Sequence, residues 1–191
     1  MKPLNVLQII FPVLLLDACI RTTILKNGRE KAAINPMVYK NRIHFDKSIL
    51  NQIDTTVIYE EYNTTYYIGD NPVNVLARDN YQNPDTYYMV YRFYGNGCFN
   101  LFHLNRENSV LTKELFDPGY TGWRGVLYSE NGQIKGDLIT QISAGGIIGK
   151  LTETFEFNGD TLIVTSKTPT WKYIFLKRNI STDLLKFTAG W

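Results

Sequence analysis

Residues 87–104 have the sequence YYMVYRFYGNGCFNLFHL, and this stretch decides the fold. Two runs rich in aromatic and apolar residues flank Gly95-Asn96-Gly97, and aromatic side chains suit the pleated surface of a strand. Asn and Gly tolerate the positive φ angles of a tight hairpin turn. The stretch therefore predicts a β-hairpin in which Tyr87–Tyr94 pairs with Cys98–Leu104.

Two Asn-Gly pairs, Asn131-Gly132 and Asn158-Gly159, lie between runs of the same kind. No helical stretch between the runs is long enough for the crossover that parallel strands need, so we expect antiparallel strands joined mostly in chain order. The other predicted strands are Thr55–Tyr62, Trp123–Ser129, Gln133–Gln141, Lys150–Phe157, Asp160–Lys167 and Trp171–Lys177. These mainly β elements predict a single up-and-down barrel of about eight strands, because closure removes exposed edges.

The segments around the predicted strands carry local signals of their own. Asp46 is an N-cap candidate for a short helical turn before the first strand, and Ser181 begins a C-terminal segment that we expect to pack outside the barrel. Residues 63–86 and 105–122 contain prolines and glycines, which predict long loops or lids.

Composition limits the classes of partner. The 191 residues fit one domain, and the formal net charge is +2 with acidic and basic residues interspersed. Such a chain lacks the strongly basic surface of a nucleic-acid-binding protein, so no nucleic-acid partner is predicted.

The first nineteen residues have the organisation of a signal peptide. Lys2 precedes an apolar stretch over residues 6–16, which is too short for a permanent membrane span. The sequence Leu16-Asp17-Ala18-Cys19 resembles the lipobox of bacterial lipoproteins. This resemblance implies that residues 1–18 are removed and that Cys19 receives diacylglycerol and a fatty acid such as palmitate, which makes the membrane a partner. A plain secretory signal with an incidental cysteine and a cytoplasmic protein with an apolar N-terminus are the alternatives.

The rest of the chain divides into two predicted parts. Residues 19–45 are basic at the start and without clear periodicity, which favours a tether behind the lipidated cysteine. Ile20 occupies the position where an aspartate would imply retention at the inner membrane, so the resemblance favours the outer membrane of the cell envelope. The layout of residues 46–191 resembles the lipocalin-like domains of bacterial envelope proteins.

Few residues indicate chemistry. The chain has two histidines, His44 and His103, in no zinc-binding arrangement, and Cys98 has the character of a core residue. We therefore assign no catalytic residue, metal site or cofactor, and we do not expect an enzyme. A hydrolase or isomerase remains a further hypothesis.

The best candidates for lining a cavity are Tyr91, Trp123, Glu153 and Trp171. Side chains alternate along a strand, so Glu153 points to the same face as its apolar neighbours. A buried carboxylate needs a partner, for which Arg92 or Arg124 is available, unless Glu153 reaches solvent at a strand end.

These observations lead to two functional hypotheses. The first is a lipoprotein that holds a small apolar, lipid or glycan ligand in a barrel cavity. The alternative is a non-enzymatic interaction module, either an inhibitor or an accessory subunit of an envelope complex, whose partner is another envelope protein.

Overall fold

The computed structural model describes residues 20–68, 71–76, 87–105, 110–143, 146–167 and 170–191. Residues 1–19 lie outside these ranges, and with them the predicted signal peptide and Cys19. In the described ranges, eight antiparallel strands close into a barrel, which confirms the predicted mainly β, lipocalin-like fold. The barrel strands are β3 (Ile58–Ile68), β5 (Tyr87–Phe93), β6 (Cys98–Asn105), β7 (Trp123–Glu130), β8 (Gln133–Gln141), β9 (Ile148–Asn158), β10 (Thr161–Lys167) and β11 (Thr170–Arg178).

The barrel closes where β11 pairs with β3, with Arg178 opposite Ile58. The three predicted turns join β5 to β6, β7 to β8 and β9 to β10, and we call the end that carries them the turn end. Asn131 and Gly132 have φ values of 52° and 74°, as a tight hairpin turn requires. The opposite end, which carries the connections from β6 to β7 and from β8 to β9, is called the loop end.

Residues 63–86, predicted as a loop, differ from that prediction in their first half. β3 continues to Ile68. β4 (Asn71–Leu76) pairs with the loop-end part of β3, on the same edge where β5 pairs with the turn-end part. Residues 77–86 lie outside the described ranges. Pro72 opens β4 at its second position, at the start of a strand where a missing N–H is tolerated.

The segment predicted as a tether is folded in its described part. β1 (Thr22–Ile24) and β2 (Lys31–Ala33) form a hairpin, and a 3-10 helix follows over Pro36–His44. Leu25, Ala33 and Tyr39 are buried, and the helix packs against β7. The expectation of an irregular tether is therefore wrong from residue 20 onward, since this segment buries its own apolar side chains against the barrel.

The interior of the barrel is solid at the turn end. Phe93, Phe99 and Phe155 lie there with ring centroids 5.4 to 5.9 Å apart. β7 and β8 make room for the rings with glycines, since a Cβ on Gly125 would lie 2.1 Å from the Phe99 ring. A second 3-10 helix, Lys47–Asn51, closes this end with Ile49, and Asp46 caps it by accepting a hydrogen bond from the Ser48 N–H as predicted.

Two further segments of the described chain cover the outside of the barrel. Residues 181–191 pack against it as predicted, with a short 3-10 helix at Thr182–Leu185 and the Trp191 ring between Tyr39 and Tyr94. The described part of residues 105–122, predicted as a loop or lid, contains a 3-10 helix, Lys113–Phe116. Phe116 is fully buried against the outer face of β6, so this part of the connection is fixed to the wall.

Candidate functional site

A carboxyl group lies inside the loop-end half of the barrel. Glu153 sits in the middle of β9, and the alternation of the strand turns its side chain inward with Phe155. Its neighbours in the wall are Gly136 on β8 and Ser166 on β10, and the Phe155 and Phe99 rings pack against Gly136. Glu153 is only 4% exposed, so the alternative that it reaches solvent at a strand end is wrong.

The partner of Glu153 is a phenol. The Tyr91 hydroxyl on β5 donates a hydrogen bond to Glu153 Oε2 over 2.8 Å. Burial raises the pKa of Glu153 to about 7, and the hydrogen bond from Tyr91 opposes that shift. The Glu153 carboxyl therefore changes its protonation state near neutral pH. The pKa of Tyr91 is raised well above its ordinary value, chiefly by burial and then by the neighbouring Glu153.

The predicted arginine partners of Glu153 are wrong. The Arg92 guanidinium points outward and donates to the Phe187 carbonyl at 2.7 Å, and Arg124 donates to the Pro118 carbonyl at 3.0 Å. The physical reason is strand alternation itself, because an inward Tyr91 forces Arg92 outward.

A second carboxylate faces the same interior. Glu61 on β3 is buried, and its Oε2 accepts a hydrogen bond of 2.9 Å from the Met89 backbone N–H. The pKa of Tyr173 is raised to about 12 by burial and then by the negative charges of Glu153 and Glu61. Two carboxyl groups and two phenols therefore form one electrostatically coupled cluster.

An open depression of about 510 Å³ lies at the loop end, and it is lined by other residues than this cluster. Its lining combines an indole, an isoleucine and four polar side chains. The lining residues are His103, Trp123, Thr140, Gln141, Ile142 and Ser143. The His103 side chain is exposed to solvent in the depression. Partial desolvation by the surrounding protein lowers the pKa of its imidazole, and the charges of Glu30 and Glu61 oppose this shift.

The four predicted cavity residues are distributed over the loop-end half. Tyr91 and Glu153 are in direct contact, and Trp123 lines the depression. Trp171 lies on β11, where its ring stacks on Tyr173 with centroids 6.0 Å apart. The structure therefore brings Tyr91 and Glu153 together and places the two tryptophans on different walls.

Sequence reasoning missed His103 and Glu61 as site residues. His103 alternates with Phe99 and Leu101 along β6, and Glu61 follows Tyr59 by two residues on β3. The period-two pattern that selected Glu153 would have selected both of them.

A larger depression of about 640 Å³ lies between the β1–β2 hairpin and the loop ends of β5 and β6. Arg29, Tyr87 and Tyr120 are among its lining residues, and His103 lines it as well as the smaller depression. Glu30 fixes the hairpin by accepting hydrogen bonds from Thr121 Oγ1 at 2.7 Å and the Gly122 N–H at 2.6 Å. The segment predicted as a tether thus supplies one wall of a cleft that adjoins the barrel opening.

No family model matches the chain, and no curated protein or solved structure is significantly similar to it. Within the described residues, no helix has the length and hydropathy needed to cross a bilayer. The same part of the chain holds no group of three His, Cys, Asp or Glu side chains placed to bind a metal ion.

Proposed function

We propose that this chain is an envelope lipoprotein, anchored through Cys19, whose barrel binds a small ligand at the loop end. The anchor is supported by Leu16, Ala18 and Cys19 of the lipobox-like sequence. Several acyl chains on one residue give stable anchoring, whereas a single chain is marginal. Ile20 behind the cysteine favours the outer membrane.

The observation that carries the binding proposal is the contrast between the two ends of the barrel. The turn end is filled with packed rings, as a purely structural barrel would be throughout. The loop-end half instead buries Glu153 and Glu61, and a depression that contains His103 and Trp123 opens at the same end. Burying carboxyl groups costs stability, and apolar residues would fill the same space more favourably. A site for a ligand explains why the polar groups are there.

The lining restricts the class of ligand. His103, Thr140, Gln141 and Ser143 offer hydrogen bonds, and the Trp123 indole offers a face for stacking. A volume of about 510 Å³ is typical of small-molecule sites. This combination favours a glycan or a molecule with a polar head group over a wholly apolar ligand.

The test is a comparison of native and denatured masses of the full chain, purified from a bacterial host that processes lipoproteins. We expect an additional mass that is lost on denaturation, which identifies the ligand. The denatured mass should also lack residues 1–18 and carry the acyl groups at Cys19.

Matched variants connect the ligand to the site. Trp123→Ala should lose the additional mass, whereas Trp191→Phe, a change on the outside of the barrel, should retain it. Retention of the ligand by Trp123→Ala, or absence of any ligand from the parent chain, contradicts the binding proposal. A denatured mass without acyl groups contradicts the anchor alone.

A second candidate function is the non-enzymatic interaction module, and one observation favours it. Four large apolar side chains are exposed near the loop end, namely Tyr87, Val110, Ile142 and Ile147. Exposed apolar groups of this kind are typical of protein contact sites. A photoreactive residue at Val110 that crosslinks to one envelope protein, combined with a native mass free of ligand, would select this function.

A further inference from the structure

The 3-10 helix Pro36–His44 exposes large apolar side chains on the side that faces away from the barrel. Val38 and Tyr39 pack toward the barrel, the Asn41 amide donates to Asp137 Oδ2 over 2.7 Å, and Arg42 donates to the Trp191 carbonyl. Three side chains between these contacts point outward. These are Met37, Lys40 and Ile43, which lie on either side of a kink at Tyr39, where the backbone is not helical.

Two of these three exposed side chains are large and apolar, where a helix facing water is normally polar. Met37 is 77% exposed and Ile43 is 83% exposed, while the inward side of the same helix holds an amide and a guanidinium. Ile34, just before the helix, is also exposed. We call this set of exposed residues, Ile34, Met37, Lys40, Ile43 and Lys47, the outward face.

Positive charge is concentrated in the part of the sequence that carries this face. Residues 20–47 carry seven basic and two acidic side chains, a formal charge of +5. Residues 48–191 carry twelve basic and fifteen acidic side chains, a formal charge of −3. Lys40 and Lys47 are the basic residues of the face itself, whereas Lys26 pairs with Asp117 and Arg42 donates to the Trp191 carbonyl.

The outward face lies close to the part of the described chain that follows Cys19 in sequence. The Ile34 N–H donates to the Arg21 carbonyl over 3.0 Å, so Ile34 lies next to a residue only two positions after Cys19. A lipid anchor at Cys19 would therefore hold a bilayer within a few residues of this face.

We propose that the outward face docks on an anionic lipid surface, with Met37 and Ile43 at the level of the acyl boundary and Lys40 and Lys47 among the head groups. Interfacial segments combine apolar insertion with attraction of Lys and Arg to anionic lipids in this way. The inference rests on the membrane location in the proposed function and is independent of the ligand. It gives the barrel a fixed orientation on the bilayer.

The test uses the full chain in vesicles in which about a third of the lipid is phosphatidylglycerol and the rest phosphatidylcholine. A spin label is attached at Met37→Cys or, as the control, at Leu176→Cys on β11, across the barrel from β7. Cys98 is fully buried, and the parent chain treated in the same way measures any label taken up at Cys19.

We expect the label at position 37 to be shielded from a water-soluble nickel complex and reached by oxygen, and the label at position 176 to be open to the nickel complex. Adding Lys40→Glu and Lys47→Glu should lower the ratio of docked to undocked chains at least tenfold, since each basic residue near an anionic surface contributes about fivefold. Vesicles of phosphatidylcholine alone should weaken docking in the same direction.

Equal access of the nickel complex to both labels overturns the proposal, and so does shielding seen only in native envelopes, which would identify a protein as the occupant. If shielding at position 37 is the same in phosphatidylcholine vesicles and in the lysine variants, the proposed attraction of Lys40 and Lys47 to anionic lipid is wrong. The intact mass of the same preparation reports acylation separately. An intact mass without acyl groups is then failure of the anchor, whereas an acylated chain whose label at position 37 stays open to the nickel complex is failure of docking.

Discussion

At the scale of single residues, the most informative group is the Glu153 carboxyl. Its pKa of about 7 lies above the ordinary value of 4.5 because the folded barrel disfavours the charged form. Between these two pH values the folded state holds a proton that the unfolded state has released. The stability of the protein therefore falls as pH rises from about 4.5 to about 7, and is constant above that as far as this group is concerned.

We predict that Glu153→Gln removes this loss. The variant should match the parent chain in free energy of unfolding near pH 4 and exceed it by an amount on the order of 3 kcal/mol near pH 8. Urea unfolding at several pH values measures the difference between the two proteins. The control is Glu156→Gln, an exposed neighbour on the same strand, for which we expect no pH-dependent difference. A difference for Glu153→Gln that does not change with pH contradicts the prediction.

The sequence was sufficient to predict that Glu153 points inward, because alternation is a property of one strand. Its contact with Tyr91 was not predictable, since it depends on how strands 62 residues apart in sequence face each other across the barrel. The arginine partners could have been excluded in advance. Arg92 follows the inward Tyr91, and Arg124 follows the inward Trp123, so both must point away from Glu153.

At the scale of elements, the strands and their turns were predictable and the N-terminal segment was not. The barrel hairpins have long strands with an apolar face, which makes their pattern easy to recognise. The β1–β2 hairpin has the same Asn-Gly signal at Asn27-Gly28, and Gly28 has a φ of 73°. Its strands are only three residues long and carry charged and polar side chains, so the tertiary contacts of Leu25 and Ala33 decide their structure.

The C-terminal segment yields a second prediction. The Trp191 indole N–H donates to the Gly125 carbonyl over 2.9 Å, and its ring packs on Tyr39 and Tyr94. We expect Trp191→Phe to lower the free energy of unfolding by about 1 kcal/mol through the lost hydrogen bond. Trp191→Ala should lower it by about 3 kcal/mol because the packing is lost as well.

Urea denaturation measures both changes, with Lys186→Ala as the control. Lys186 lies in the same segment with an exposed side chain, so its removal should change stability by less than about 0.5 kcal/mol. If Trp191→Ala lowers the free energy of unfolding by no more than this control, the contacts of Trp191 do not stabilise the packing of residues 181–191 on the barrel.

At the scale of the whole molecule, barrel closure separates early from late events in folding. The β7–β8 hairpin is local, whereas the seam joins Ile58 to Arg178 across most of the chain. Non-local pairing is slow because the entropy of closing the loop is lost before the contacts form, so we expect refolding in milliseconds to seconds.

This order predicts different kinetic effects for two buried residues. Leu127→Ala on β7 should mainly slow refolding, and Phe175→Leu on β11 should mainly accelerate unfolding. Stopped-flow measurements of both limbs over a range of urea concentrations provide the rates. Both substitutions should destabilise by about 1 kcal/mol or more, which is enough for a reliable ratio. A larger effect on refolding for Phe175→Leu than for Leu127→Ala contradicts late closure.

The folded state of residues 20–45 also limits how far the barrel can travel from an anchored Cys19. As an extended chain, about 26 residues would let a domain range over roughly 85 Å from the bilayer. With the β1–β2 hairpin and the Pro36–His44 helix packed on the barrel, that radius shrinks to the few ångströms spanned by one or two residues. Under the proposed anchoring, the barrel can sample only the layer immediately above the lipid, and whatever it binds has to arrive there.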